Sequence, residues 1–270
     1  MNMRERSNVF WITVLFGVQI YCGIAVAADR TDEAEIRAMV LGNIDKGALN
    51  RPIAKIPIVM GPASPGIRIY KDWADGVVVV GKRGPLGSGT LVSARGDIVT
   101  NDHVVRNAPM RNGVEYVGIW LKPPEGHPMK LGNVLMARVV YRDALRDLAI
   151  VRLDQSLPEK VTVIRPGESL PDVGSNIYAI GHPKELFWSI HSGLLSQVRK
   201  DYEWQEAGGS HSATVIQTDA IITQGSSGGP LFDENGNWIG VIYGGDQSVS
   251  GISFAIAIEH VKAALKLIAE

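Results

Sequence analysis

Thr218-Asp219-Ala220-Ile221-Ile222-Thr223-Gln224-Gly225-Ser226-Ser227-Gly228-Gly229-Pro230-Leu231 organises the reading of the whole 270-residue chain. Its centre, Gly225-Ser226-Ser227-Gly228-Gly229-Pro230, presents a serine hydroxyl in a tight turn. Such a hydroxyl is a poor nucleophile until a base takes its proton and backbone N–H groups receive the oxyanion that forms. Glycines on both sides allow a turn in which the N–H groups of Gly225 and Ser227 converge on one spot, with no Cβ in the way. A Gly/Ser surface turn is the alternative reading of the string taken alone, so the decision rests on what lies upstream.

Upstream the chain reads as many short strands. Gly76–Val80, Gly89–Ser93 and Asp97–Thr100 are β-branched runs between glycine-rich turns, with Ala94-Arg95-Gly96-Asp97 as a hairpin turn. Val114–Leu121, Val134–Tyr141 and Leu148–Leu153 continue the series. After Leu170-Pro171-Asp172-Val173-Gly174 a second set follows: Asn176–Ile180, Phe187–Val198, Ala213–Asp219, Trp238–Tyr243 and Gly251–Ile256. Asp233-Glu234-Asn235-Gly236-Asn237 is a hairpin turn, and a helix over Ile258–Ile268, apolar at Val261, Leu265 and Ile268, closes the chain. Two sets of short strands, divided near Pro166–Val173, predict an all-β sandwich or a pair of barrels.

A serine nucleophile needs a base, and the base needs an orienting carboxylate. Of the six histidines, His103 has the most structured context, at the end of Ile98-Val99-Thr100-Asn101-Asp102-His103, where a buried strand delivers it to a cleft. Asp147 opens the apolar run Asp147-Leu148-Ala149-Ile150-Val151. A half-buried carboxylate there is costly without a partner, and an imidazole N–H supplies one. His182, in Gly181-His182-Pro183, reads as a turn residue, and His127, His191, His211 and His260 as surface or partly packed groups. None has a His-x-x-x-His metal spacing, so no metal ligand is assigned. The Gly-x-Ser-x-Gly elbow of α/β-hydrolases needs an acid and then a histidine after the serine. Only His260 follows Ser227, which disfavours that reading.

The strings around His103, Asp147 and Ser227, in that order, resemble those of the trypsin-like serine proteases, and most closely the Deg/HtrA-type bacterial members. Gly87-Ser88-Gly89-Thr90, Gly181-His182-Pro183, Ser192-Gly193-Leu194-Leu195-Ser196, Gln217-Thr218-Asp219-Ala220 and Ser253-Phe254-Ala255-Ile256 support it. The resemblance implies a trypsin-like double β-barrel over 76–270, with lobes of about 76–168 and 169–257, a helix over 258–269 and the triad in the cleft between lobes. His103 would take the Ser227 proton, Asp147 would hold the imidazole, and the turn Gly225-Ser226-Ser227 would form the oxyanion hole. A polypeptide substrate is implied, without a cofactor, and oligomers of this family, often trimers, are built through N-terminal segments such as 29–70 here. Two departures stand out: the chain stops at Glu270 without the PDZ domain usual in Deg/HtrA-type enzymes. Ser226 also replaces the aspartate with which trypsin pairs its freed N-terminus. Control would then fall to the loops around 185–190 and 200–211.

Ile221 and Ile222 stand where trypsin has its acidic pocket base, and Phe254 is close by, so a basic P1 residue would lack a counter-charge. Small or medium aliphatic P1 residues are expected instead. Tyr243-Gly244-Gly245 would offer backbone groups to an extended substrate by strand addition. The non-enzymatic alternative is a latent or inactive protease fold serving as a peptide-binding or chaperone-like module.

The first 27 residues read as a targeting segment. Arg4 and Arg6 precede the uncharged run Val9–Ala27, which ends in Ala25-Val26-Ala27 before Ala28, a signal-peptide pattern. The run is also long enough for an uncleaved membrane anchor. Either way the folded part is expected outside the cytoplasm, in a bacterial periplasm or cell envelope. Cys22, the single cysteine, lies in this segment, so the mature chain holds no disulfide and no thiolate nucleophile. A net charge of −1 gives no reason to expect nucleic acid as partner. Residues 28–75 are expected as an extension made of an amphipathic helix from Asp32 to about Leu49 and an irregular connector over Asn50–Tyr70, rich in proline and glycine.

Overall fold

The computed structural model describes residues 33–42, 64–82, 84–158, 161–206, 209–245 and 251–269. The targeting segment 1–27, residues 28–32, residues 43–49 of the expected first helix and connector residues 50–63 lie outside them. Residues 33–41 are helical (α1), with an Arg37–Glu33 ion pair at 3.2 Å one turn apart. No described helix is long and apolar enough to cross a membrane.

The expected connector is corrected at its end: Pro65–Trp73 is an α-helix (α2). Pro65 and Gly66 do not break it because Pro65 occupies its first turn, where a missing N–H costs nothing. Ser64 Oγ accepts from Ile67 N at 3.4 Å as the cap. Ile69 is fully buried, and Trp73 stacks on Phe232 at 6.2 Å.

Thirteen strands follow among the described residues. The first set is β1 (Val77–Gly81), β2 (Gly87–Leu91), β3 (Asp97–Thr100), β4 (Met110–Arg111), β5 (Val114–Trp120), β6 (Leu135–Asp143) and β7 (Leu148–Leu153), with a short helix α3 (Asp102–Val105) after β3. They pair in the order β1-β2-β3-β7-β6-β5-β4, and an added β1–β5 pairing closes the sheet on itself. Val78, Val80, Leu91, Ile98, Val117, Ile119 and Val151 fill its interior, the period-2 inward residues of β-branched strands.

The second set is β8 (Asn176–Gly181), β9 (Ser189–Glu206), β10 (Gly209–Thr218), β11 (Pro230–Asp233), β12 (Trp238–Gly245) and β13 (Ser253–Ala257). They form a closed barrel in the order β10-β13-β12-β11-β8-β9 around Ile177, Leu195, Ile216, Leu231, Ile242 and Ala255. The fold is thus the expected double β-barrel. The C-terminal helix α4 (Ile258–Ala269) buries Ile258, Val261 and Ala264, while Leu265 and Ile268 are only half-buried.

One expectation fails within this barrel. Within the span 200–211 expected as a loop, residues 200–206 and 209–211 are strand, with β9 and β10 paired out to Glu206↔Gly209. The extension is held by aromatic side chains: Trp204 lies on Tyr243 at 4.6 Å and on His211 at 5.0 Å, and Tyr202 on Phe254 at 5.2 Å. Its far end crosses to the first barrel, where Ser212 N–H donates to Leu145 O at 2.8 Å and His211 Nδ1 to Ala144 O at 2.7 Å. His211 is 2 % exposed, more deeply buried than the surface or partly packed position expected of it.

Candidate active site

β3 ends at Thr100, and the chain turns through Asn101 into α3, which carries His103. The base of this turn is ionic. Asp102, fully buried, accepts from Arg142 Nε at 2.6 Å and from Arg106 Nε at 3.0 Å. Burial by itself would raise the Asp102 pKa, but the hydrogen bonds and charges of Arg142 and Arg106 outweigh it and hold the carboxyl below its usual range. Asp97 is held down in the same way, against burial, by Ser93, Arg152 and Arg95. Removing one partner strands a buried charge, so Asp102→Ala is expected to cost about 3–5 kcal/mol in urea unfolding. The two depressed carboxylates also set an acid limit. Their stabilisation is complete above the unfolded Asp pKa of about 3.9 and is lost as pH falls through the lower folded values. Urea midpoints measured from pH 6 down to pH 3 should fall, and the fall should be shallower in Asp102→Ala.

Asp147 sits between β6 and β7 at φ +51° with no exposed surface. It is fully rather than half buried, and three contacts fix it. Asn101 Nδ2 donates to its carbonyl at 2.9 Å, His103 N–H to Oδ1 at 2.8 Å, and the His103 ring bonds Oδ2 through Nδ1 at 2.7 Å. An ionised carboxylate only accepts, so Nδ1 carries the proton and Nε2 is left with a free lone pair, the form of a general base.

Ser227 lies on the opposite barrel, in a turn that β2 clamps from the first. Ser88 N–H donates to Ser227 O at 2.8 Å and Ser88 Oγ to Gly225 O at 2.8 Å, while Thr100 Oγ1 donates to Ser88 O at 2.7 Å. Through Thr100 and Ser88 the strand that delivers His103 is therefore tied to the turn that holds Ser227. The Ser88 role escapes local sequence reading, because the Gly225 carbonyl that its hydroxyl meets lies 137 residues further along the chain. Its only trace is the Gly87-Ser88-Gly89 string, whose glycines let neighbouring elements approach: a Cβ on Gly87 would meet Val104 of α3 at 2.7 Å.

Within the turn, Lys184 N–H donates to Gln224 O at 2.8 Å. In a trans peptide the N–H points opposite to the carbonyl, so the Gly225 N–H is turned away from Lys184. Gly225 takes φ +100°, which its lack of a Cβ permits. Among the described residues, neither the Gly225 nor the Ser227 N–H has a protein acceptor. Ser226 differs from them, since its N–H returns to Thr223 O at 3.0 Å. The Ser227 hydroxyl donates to Tyr243 O at 3.1 Å. Tyr243 falls at a bulge in the β12–β13 pairing, which leaves its carbonyl outside the ladder. Burial, then Tyr202, Glu206 and Asp147, push the Tyr243 phenol up, so it stays neutral.

The specificity residues divide. Tyr243, Gly244 and Gly245 end β12, with open space above the Gly244 Cα. Beside them is a cavity of about 560 Å³ whose walls include Tyr202, Trp204, Tyr243, Gly245, Ile252 and Phe254. Ile222 packs on the second-barrel core. Ile221 does not serve as a pocket floor: it is 68 % exposed. The preceding Ala220 is drawn into the core and bonded to Thr218 Oγ1 at 3.0 Å, which turns the next side chain outward.

Two closed barrels with a serine turn on one and a histidine–carboxylate pair on the other define the trypsin-like fold class. A family model described as a trypsin-like peptidase domain matches residues 87–241, and the chain belongs to that family. Among curated relatives, Protease Do-like 1 of Arabidopsis thaliana chloroplasts is 34 % identical over 179 residues, covering 65 % of this chain and 37 % of its own. The serine protease Do-like HtrA of Bacillus subtilis is 31 % identical over 183 residues, with the same two shares. The chain thus spans little more than a third of the length of these relatives. Of solved structures, a serine endoprotease from Yersinia pestis superposes with a TM-score of 0.59 at 27 % identity, covering 76 % of this chain and 66 % of that one. A Mycobacterium tuberculosis protein in an inactive form gives 0.61 at 20 % identity over 80 % of this chain and 97 % of its own, a likeness of fold alone.

Proposed function

We propose that the chain is a serine endopeptidase in which Ser227 is the nucleophile, His103 the general base and Asp147 its orienting carboxylate. The observation that carries this reading is the buried Asp147 gripping both the ring and the backbone of His103. That grip leaves Nε2 as acceptor, on the helix that follows β3, the strand tied through Ser88 to the Ser227 turn. A polypeptide adds as a strand along Tyr243–Gly245, and its P1 N–H takes the Tyr243 carbonyl. The Ser227 hydroxyl, deprived of that acceptor, rotates to His103 Nε2, loses its proton there and attacks the scissile carbonyl. The Gly225 and Ser227 N–H groups receive the oxyanion, and Asp147 stabilises the imidazolium. His103 then protonates the leaving amine, and water, activated by the same ring, hydrolyses the acyl-enzyme.

With Ile221 turned to solvent, the preference for small or medium aliphatic P1 residues rests on Ile222, Phe254 and the lack of a counter-charge. Export through residues 1–27 and self-association through residues 29–70 belong to the same proposal. The test is labelling of the full chain by a fluorophosphonate probe, against Ser227→Ala and His103→Ala. Wild type alone should label, and a peptide panel should show aliphatic P1 residues cut ahead of Arg or Lys. Absence of labelling, even with unfolded protein added as an activator, would leave a peptide-binding module instead. Arg or Lys cut fastest would overturn the pocket assignment only.

A further inference from the structure

His182 is a buried ionisable group that the mechanism leaves unused, and its surroundings are unusual. It has no exposed surface. Its Nδ1 accepts from Trp188 N–H at 3.0 Å, and its ring meets the Trp188 ring edge-on at 4.8 Å. Since Nδ1 accepts, the proton is on Nε2, which lies beside the Val78 backbone without completing a hydrogen bond. Burial pushes the imidazole down to about 3, so this neutral form persists across the working range. The five residues that His182 and Trp188 bracket include Lys184 at φ +47° and Glu185 at φ +62°, and Trp188 itself is at φ +52°. A bulky residue at positive φ persists only where its surroundings over-determine it.

The surroundings do so at each end of the loop. Trp188 Nε1 donates to Val77 O of β1 at 2.8 Å, and Leu186 N–H donates to Pro183 O at 2.8 Å. Glu185 N–H donates to His182 O at 3.2 Å, the carbonyl that a Cβ on Gly225 would strike. Midway along, Lys184 N–H holds the Gln224 carbonyl, the contact that turns the Gly225 N–H away from this loop.

We infer that His182 is a positioning residue for the oxyanion turn: its Nδ1 pins Trp188 N–H and so holds the strained 183–188 loop in the shape that presents Lys184 N–H to Gln224 O. It touches no substrate and acts only through the Gln224–Gly225 peptide. The inference rests on the serine-protease reading for its kinetic consequence but not for its structural one, and the test separates the two.

Asn and Gln discriminate the role from mere filling of space, because an Asn amide oxygen falls near the place of Nδ1 and a Gln amide oxygen near that of Nε2. In the full chain, His182→Gln and His182→Leu should lose on the order of 10²-fold in kcat and in fluorophosphonate labelling rate, the scale of one lost oxyanion donor, with little change in KM. His182→Asn should remain within a few-fold of wild type. Amide hydrogen exchange, read on peptides covering 182–190 and 222–227, should quicken in both segments for Gln and Leu and in neither for Asn. The inference is overturned if the 222–227 turn keeps its protection in the Gln variant, or if Asn is as damaged as Gln. Should Leu fail to fold, the Asn–Gln contrast still decides. Should wild type itself fail to label, the protease reading falls while the exchange data still judge His182.

Discussion

Asp147→Asn is expected to lower kcat by about 10⁴-fold while the fold survives, because the variant sets the wrong tautomer on His103. The carboxylate has two tasks: Oδ1 accepts the His103 backbone N–H and Oδ2 the ring Nδ1–H. An amide has one acceptor end. The backbone N–H can only donate, so the amide oxygen turns to it and the NH₂ faces the ring. Nδ1 must then accept, the ring proton moves to Nε2, and the base loses the lone pair that the Ser227 hydroxyl needs. KM should hardly change, since the groups lining Tyr243–Gly245 are untouched. The check is steady-state hydrolysis of a peptide ester together with the urea midpoint. A kcat within tenfold of wild type would sink the assignment of Asp147.

Gly228→Ala is expected to damage stability and activity together. Gly228 has φ +88°, and a Cβ on it would be driven into the Ser88 carbonyl and Thr100 Oγ1. Neither is the free end of a flexible side chain: they are the clamp that joins β3 and β2 to the Ser227 turn. Left-handed strain and the forced separation of two backbones together should cost about 3–5 kcal/mol. The fluorophosphonate reaction should be lost as the barrels part at this seam. Gly132→Ala is the control, because its Cβ meets nothing within 4 Å and no positive φ is required. Its urea midpoint should stay at the wild-type value. A Gly228→Ala midpoint equal to that of Gly132→Ala would show that the seam yields without cost.

The His103–Asp147 contact and the turn that holds Ser227 were legible from the chain because residue type and local context point to them: a serine between glycines, a histidine after a buried strand, an acid heading an apolar run. The two strand sets were legible for the same reason, since period-2 burial is written locally. What the chain hid is what depends on contacts far along it. Ser88 bonds a carbonyl 137 residues away, and the His182 ring is sealed by Trp188 and β1. Prolines misled at α2, where Pro65 starts a helix instead of preventing one, and β11 is too short to show a period. Ile221 reads as a pocket side chain by position, yet the inward draw of Ala220 sends it to solvent. Residues 200–206 and 209–211 look polar enough for a loop, yet they pair as strands whose Tyr202, Trp204 and His211 stack on one another and on the second barrel.

The β9–β10 hairpin, finally, imposes an order in time. Domains emerge from the ribosome N-terminal end first, so the barrel that bears His103 and Asp147 is synthesised before the rest. Yet the loop leading into Asp147 is capped by His211 and Ser212, the former 67 residues beyond Ala144. The Ser88 hydroxyl, too, waits for Gly225. The older half of the molecule thus carries a base and an acid whose supports have not yet been made. On the serine-protease reading, activity then waits for the last strands, because the Ser227 turn and the support of the Asp147 loop are both made late.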